Sequence, residues 1–205
     1  MSVSTGTLGE RPVEIESQSA ASGSRSVSWW GMVVIILNEA IIFSALFASY
    51  FYLRFNAPLW PPEGIKRPEL VLPLINTALL VSSSFVLQWG VIGIRHGNQS
   101  RLRLGQAVAF LLGAAFLAIQ IYEYFHLEFG PQLNTYSSLF YTVTGVHATH
   151  VFVGLLMNAY IQVRAWLGHF DADHYQGVEN ASLYWHFVDA VWLFVLSTVY
   201  LSPYL

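Results

Sequence analysis

Five stretches of the chain are almost wholly apolar, and short polar segments separate them. They cover residues 29–55, 70–94, 104–126, 139–166 and 181–201. An α-helix rises about 1.5 Å per residue, so about 20 residues cross the hydrocarbon core of a bilayer. Each run reaches that length. Helices rather than strands follow from the length and from the need to satisfy every backbone group within the segment. The pattern predicts an all-α polytopic membrane protein with five transmembrane helices and no internal repeat. The connections are 56–69, rich in proline (Pro58, Pro61, Pro62, Pro68), then 95–103, then 127–138 with the breaker Gly130-Pro131, then 167–180.

Residues 1–28 are different, being rich in Ser, Thr, Gly, Glu and Gln. They are assigned to a polar N-terminal tail, disordered or peripheral, and residues 29–205 to the membrane domain. The tail contains no apolar run of signal-peptide type, so the first span is expected to serve as the insertion signal.

Composition agrees with lipid as the solvent. Of 205 residues, 55% are hydrophobic and only 10% charged, against about 25% charged in a soluble domain. The net charge of −3 gives no footprint for nucleic acid. With no cysteine, disulfides, thiolate metal sites and cysteine nucleophiles are excluded. Arg and Lys in the connections set the expected orientation. Placing the N-terminus inside puts Arg11, Arg25, Arg95, Arg101, Arg103 and Arg164 inside, against Arg54, Lys66 and Arg67 outside. N-terminus inside is the expectation.

A few ionisable side chains interrupt the apolar runs: Glu39, Glu123, His126, His147, His150, His186 and Asp189. A charged Asp, Lys or Arg at a helix centre costs about 2.5–3.5 kcal/mol even on lenient insertion scales, so such groups face protein or water and have partners. Glu39, near the middle of the first span, reads either as a proton-active carboxyl or as an interhelical hydrogen-bonding group. The second role is favoured. His186 and Asp189 are three apart, hence on one face, and either satisfy each other or reach a neighbouring helix. Trp185 and Trp192 share a face and are a candidate seam against another subunit.

His147 and His150, with Glu123 and His126 at Glu-x-x-His spacing, suggest a metal centre. Depth argues against one. With antiparallel spans, His147 and His186 fall in opposite halves, roughly 15 Å apart in depth at 1.5 Å per residue. A second Glu-x-x-His is also missing. Interhelical hydrogen bonding is the expected role of these groups. Ser82–Ser84 and Gly113–Ala115 mark helix contacts, and Asn76, Gln88 and Gln120 are candidates to bond across helices. Arg164, at the inner end of the fourth span, can snorkel to a lipid phosphate or serve topology alone.

Six stretches occur in an order that resembles one family: LNEAIIFSALFASYFYLR, APLWPPEGI, VLPLINTALLVSSS, QIYEYF, FYTVTGVHATHVFVGLL and YWHFVDAVWLFVLSTVY. They resemble subunit III of cytochrome c oxidase, in the haem-copper oxygen reductase family, from about Trp29 to Tyr200. The resemblance implies a non-catalytic subunit of an aerobic respiratory terminal oxidase, in a bacterial cytoplasmic membrane. Such a subunit holds no metal or other cofactor. It packs against subunit I, which carries haem and copper, reduces oxygen and pumps protons. It supports stability, lipid environment and proton uptake. Further implied partners are the other oxidase subunits, a respiratory supercomplex and membrane phospholipid.

By the same resemblance, Glu39 is the family's membrane-buried glutamate. Glu123 belongs to its Gln-x-x-Glu-Tyr run, and Arg164 is an arginine that meets a lipid phosphate. The chain departs from the longer seven-helix form, whose two additional helices precede the helix of Glu39 and wall a lipid cleft. Quinol-oxidising relatives also have five helices and remain an alternative. So do a stand-alone intramembrane metal enzyme built on His147 and His150, and a transporter with Glu39 as proton carrier.

Overall fold

The computed structural model describes residues 26–65 and 67–204. The tail assigned to residues 1–28 therefore lies almost entirely outside the described residues. Five helices follow in order: α1 (Val27–Asn56), α2 (Val71–Arg95), α3 (Gln99–His126), α4 (Thr135–Trp166) and α5 (Gln176–Val195). α5 continues into a π-helical turn, Leu196–Leu201, and a 3-10 turn, Ser202–Tyr204. All five are long and apolar enough to cross a membrane, and no strand occurs among the described residues.

Several helices begin before the apolar runs because polar side chains cap them. Ser26 accepts the backbone N–H of Trp29, so α1 starts two residues inside the segment assigned to the tail. Asn98 accepts the N–H of Arg101 at the start of α3. At α4, Asn134 and Ser137 bond each other's backbone N–H in a capping box. Such caps satisfy donors that helix termini otherwise leave orphaned. Hydrophobic periodicity alone does not reveal this extension.

The helices run up and down, which gives two end faces. The N-terminal end carries the start of α1 and the connections between α2 and α3 and between α4 and α5. The other end carries the α1–α2 and α3–α4 connections and the C-terminus. At the N-terminal end, Arg95 pairs with Glu179 at 2.7 Å and Arg103 Nε donates to the Ala165 carbonyl at 3.0 Å. In the α4–α5 connection, Asp171 accepts the backbone N–H groups of His174 and Asp173, and these hold its carboxyl below the usual carboxylate range. At the other end, Trp60 donates to the Tyr50 hydroxyl, which bonds Ser202, each at 2.9 Å. That chain pins the proline-rich connection, whose Trp60–Pro61 bond is cis, to both the first and last elements.

Small residues let the helices approach. A methyl on Gly105 of α3 would stand 2.9 Å from Gly90 Cα and 2.9 Å from the Val86 carbonyl on α2. Backbone therefore touches backbone here, which packing in lipid requires small residues to permit. The indole of Trp185 from α5 sits between Gly113 of α3 and Gly154 of α4 and donates to Ser83 Oγ of α2 at 2.9 Å. Trp192 is fully buried and donates to Thr77 Oγ1 at 2.9 Å. The expected seam against another subunit is corrected by this burial: both tryptophans pack inside the chain's own bundle. α1 is the least enclosed helix, with Phe43 and Tyr50 as its buried residues.

Overpacking a tight contact costs about 1–3 kcal/mol. Gly105→Ala is expected to lower unfolding stability in detergent by that amount. Gly31→Ala, inside α1 where nothing lies within 4 Å of the added methyl, is expected to hold stability or raise it by up to about 1 kcal/mol. Helix loss followed by circular dichroism against denaturant checks both.

Candidate functional site

The polar groups of the spans fall into separate sets in different layers. At the centre of α1, Glu39 Oε2 lies 2.7 Å from His150 Nε2, near the middle of α4. Their side chains are 28% and 13% exposed, so the pair sits at the edge of the bundle rather than in its heart. Phe43, one turn along α1, packs on the His150 ring with centroids 5.0 Å apart. His150 Nδ1 lies 2.7 Å from the Val146 carbonyl. A carbonyl only accepts, so Nδ1 carries a proton. Nε2 then either accepts from a protonated Glu39 or, as imidazolium, donates to its carboxylate. In both arrangements the pair is neutral as a unit, which lowers the cost of holding it in lipid. The expected interhelical role of Glu39 thus has a named partner.

His147, one turn back on α4, is fully buried and its two ring nitrogens have no hydrogen-bond partner among the described residues. Phe43, Phe116 and Trp192 surround it, with ring centroids at 6.3, 5.8 and 5.2 Å.

Nearer the C-terminal end of the bundle, Glu123 is 7% exposed. Its Oε2 accepts from Gln120 Nε2 at 2.9 Å and from the Tyr200 hydroxyl at 3.0 Å. His126 does not join it. That ring is exposed, bonds the Tyr122 carbonyl of its own helix and stacks on Tyr122. Beside Glu123, a pocket of about 380 Å³ opens among Arg67, Glu69, Glu123, His126 and Glu128.

Toward the other end, His186 Nε2 bonds Gln88 Oε1 of α2 at 3.2 Å. Of the two options for His186, the neighbouring helix is the one realised. Asp189 lies near Ser84 and His186, with its Oδ1 unpartnered among the described residues. Trp192, which stands beside His147, is six residues further along α5 than His186, a rise of about 9 Å. The two imidazoles therefore occupy different layers. Among the described residues, no group of three or more His, Asp or Glu is placed to share one metal ion.

Arg164, half-buried in the last turn of α4 at the N-terminal end of the bundle, has its guanidinium over the rings of Tyr160 and Phe170 at 5.8 and 5.4 Å. No carboxylate is paired with it among the described residues. A groove of about 370 Å³ runs close by, lined by Leu156, Met157, Tyr160, Ile161, Gly177 and Ala181 of α4 and α5.

Of the three amides expected to bond across helices, Gln88 and Gln120 do, the latter to Tyr200 at 3.3 Å, and Asn76 has no partner among the described residues. Ser83, within the run read as a helix contact, receives Trp185; sequence reasoning missed Tyr200 and Thr77 as anchors. The available signal was general: a buried Tyr or Trp finds a partner for its polar tip.

Five spans with polar pairs distributed between helices define a multi-pass helical membrane protein. The sequence model of "Cytochrome c oxidase subunit III" matches residues 14–204. The chain is similar to cytochrome c oxidase subunit 3 of Synechocystis sp., 42% identical over 180 residues, covering 87% of this chain and 77% of the relative. It is 38% identical to that of Thermostichus vulcanus over 172 residues, covering 83% and 85%. It is 36% identical to that of Drosophila yakuba over 177 residues, covering 83% and 68%. The chain belongs to the cytochrome c oxidase subunit III family, and so to a terminal oxidase complex with other oxidase subunits.

Glu39→Gln keeps a donor and an acceptor facing His150 and is expected to hold stability within about 0.5 kcal/mol. Glu39→Leu strands His150 Nε2 and is expected to cost about 1–2 kcal/mol. Denaturant unfolding of the three proteins in one detergent measures both.

Proposed function

We propose that this chain is an accessory subunit of an aerobic terminal oxidase, carries no haem, copper or catalytic centre of its own, and packs against the haem- and copper-bearing subunit I. The observation that carries this reading is the dispersal of its ionisable groups. Glu39 and His150, Glu123 and Tyr200, and His186 and Gln88 engage each other in pairs in different layers. None of these sets converges on a point where a redox centre could be ligated. Subunit I supplies the chemistry of oxygen reduction. This chain contributes packing, a lipid environment and support for proton uptake, within the cytoplasmic membrane of a bacterium and with its N-terminus inside. Contact with a respiratory supercomplex belongs to the same reading.

The lightly enclosed α1, with Trp30, Leu37, Ile41 and Phe55 exposed, leaves apolar surface for lipid or neighbouring subunits. Arg164 beside the apolar α4–α5 groove suits a phospholipid: a guanidinium for the phosphate and a trough for an acyl chain. Cytochrome c as electron donor agrees with the Trp60-Pro61-Pro62 and Leu74–Thr77 motifs.

Extraction in mild detergent is expected to bring a haem-bearing subunit down with this chain, whereas the separated chain shows no visible absorbance. Stoichiometric iron or copper in the separated chain contradicts the reading. Arg164→Ala is expected to reduce the phospholipid retained by the complex, read by mass spectrometry of lipid extracts. Glu39→Gln is expected to preserve assembly, turnover and proton stoichiometry; a fall in stoichiometry with assembly intact transfers Glu39 to a proton-conducting role.

A further inference from the structure

His147 is the feature that the preceding account does not use. A neutral imidazole has one N–H to donate and one nitrogen to accept. Here both are sealed from solvent and neither bonds a group among the described residues. Leaving a buried polar group unmade costs about 1–3 kcal/mol, and buried groups in folded proteins nearly always have a partner, protein or water. Lipid cannot supply one.

The neighbourhood repeats the pattern. Trp192, 5.2 Å from His147 between ring centroids, is anchored on Thr77 of α2. The preceding residue, Asn76, is fully buried with both amide atoms unpartnered among the described residues. On α3, Phe116 packs on both His147 and Trp192. One turn further along that helix is Gln120, whose Oε1 is also buried and unpartnered while its Nε2 bonds Glu123 and Tyr200. The Tyr200 ring in turn packs on Trp192, centroids 6.1 Å apart. Unmet hydrogen-bonding capacity on α3 and α4 therefore flanks the Phe116–Trp192 contact, and Asn76 on α2 adjoins in sequence the Thr77 that anchors Trp192. On one side of it lies the Glu39–His150 pair. On the other lies Glu123, which borders the pocket at the C-terminal end of the bundle.

We propose that His147 lines an internal water site, and that water held there joins the Glu39–His150 pair to the Glu123–Tyr200–Gln120 cluster and through it to that pocket. A buried water makes about three hydrogen bonds, so one or two molecules satisfy His147, Asn76 and Gln120 Oε1 together. The consequence is directional. The carboxyl at the centre of α1 is hydrated from the end of the bundle that carries Glu69, Glu123 and Glu128, and not from the end that carries Arg95 and Arg103.

Hydroxyl-radical footprinting by X-ray radiolysis tests this, because side chains next to bound water are oxidised while dry ones are not. α5 supplies its own control. Trp185 and Trp192 are both buried, at 1% and 0% exposure, but Trp185 stands in a glycine-lined cleft with its only polar atom bonded to Ser83. In the intact oxidase complex, Trp192 is expected to be oxidised several-fold above Trp185, because only Trp192 would stand beside bound water. His147→Phe is expected to bring Trp192 down to the Trp185 level, and His147→Gln to retain the labelling. Equal labelling of the two tryptophans in the unaltered complex overturns the water site, whether or not His147→Phe assembles. Glu123→Leu is expected to suppress labelling at Trp192. Undiminished labelling in that variant overturns the connection to the pocket.

Discussion

The structure depends on one constraint: a polar group inside a lipid-embedded bundle must find its partner in the protein or in water the protein encloses. Lipid offers no hydrogen bonds, and each unmet group costs on the order of kcal/mol. The five helices meet this in two ways. Where the chain needs close contact, glycine brings backbones together, as at Gly90 and Gly105. Where it needs orientation, a polar tip on one helix finds an acceptor on another. Trp185 reaches Ser83, Trp192 reaches Thr77 and Tyr200 reaches Glu123. Trp185 and Trp192 tie α5 to α2, and Tyr200, in the π-helical turn that continues α5, ties the end of the chain to α3; α5 also packs against α1 and α4. The same rule explains Glu39. α1 buries little of its surface, and its bond to His150 is a specific tie to α4 where apolar packing is thin.

This arrangement bears on what the subunit does for its complex. A site that ligates a redox metal gathers several donors at one depth. This chain spreads its donors along the bundle, several of them closed in pairs across helices. The proposed scaffold beside a catalytic subunit has different needs: a rigid core, an apolar perimeter, and cationic groups at the rim for lipid. Under that proposal the Trp185 cleft would supply the first, the exposed face of α1 the second, and Arg164 the third. Membership of the subunit III family gives these features their setting.

Much of the fold was legible in the sequence because lipid imposes so strong a pattern. The five apolar runs located five helices, and lengths near 20 residues left no other secondary structure open. Helix starts were less legible, since Ser26, Asn98 and Asn134 act through side-chain geometry that hydropathy does not weigh. The partners of the buried groups were the least legible. Glu39 and His150 are 111 residues apart, and nothing local to either announces the other. His186 had a carboxylate within one turn yet bonds Gln88 instead, because α2 presents an amide at that level. The heptad spacing of Trp185 and Trp192 correctly put them on one face. Which surface that face meets is a tertiary fact, and glycines on α3 and α4 decide it.

The most direct test of the account is a double-mutant cycle on the central pair, using Glu39→Leu, His150→Leu and the double variant, with unfolding free energies measured in one detergent. If pairing between helices is what these groups are for, the coupling energy is about 0.6–2 kcal/mol, favourable. A coupling energy of zero within error would contradict the account, since it would mean that the acid and the imidazole are held in the membrane for something other than each other.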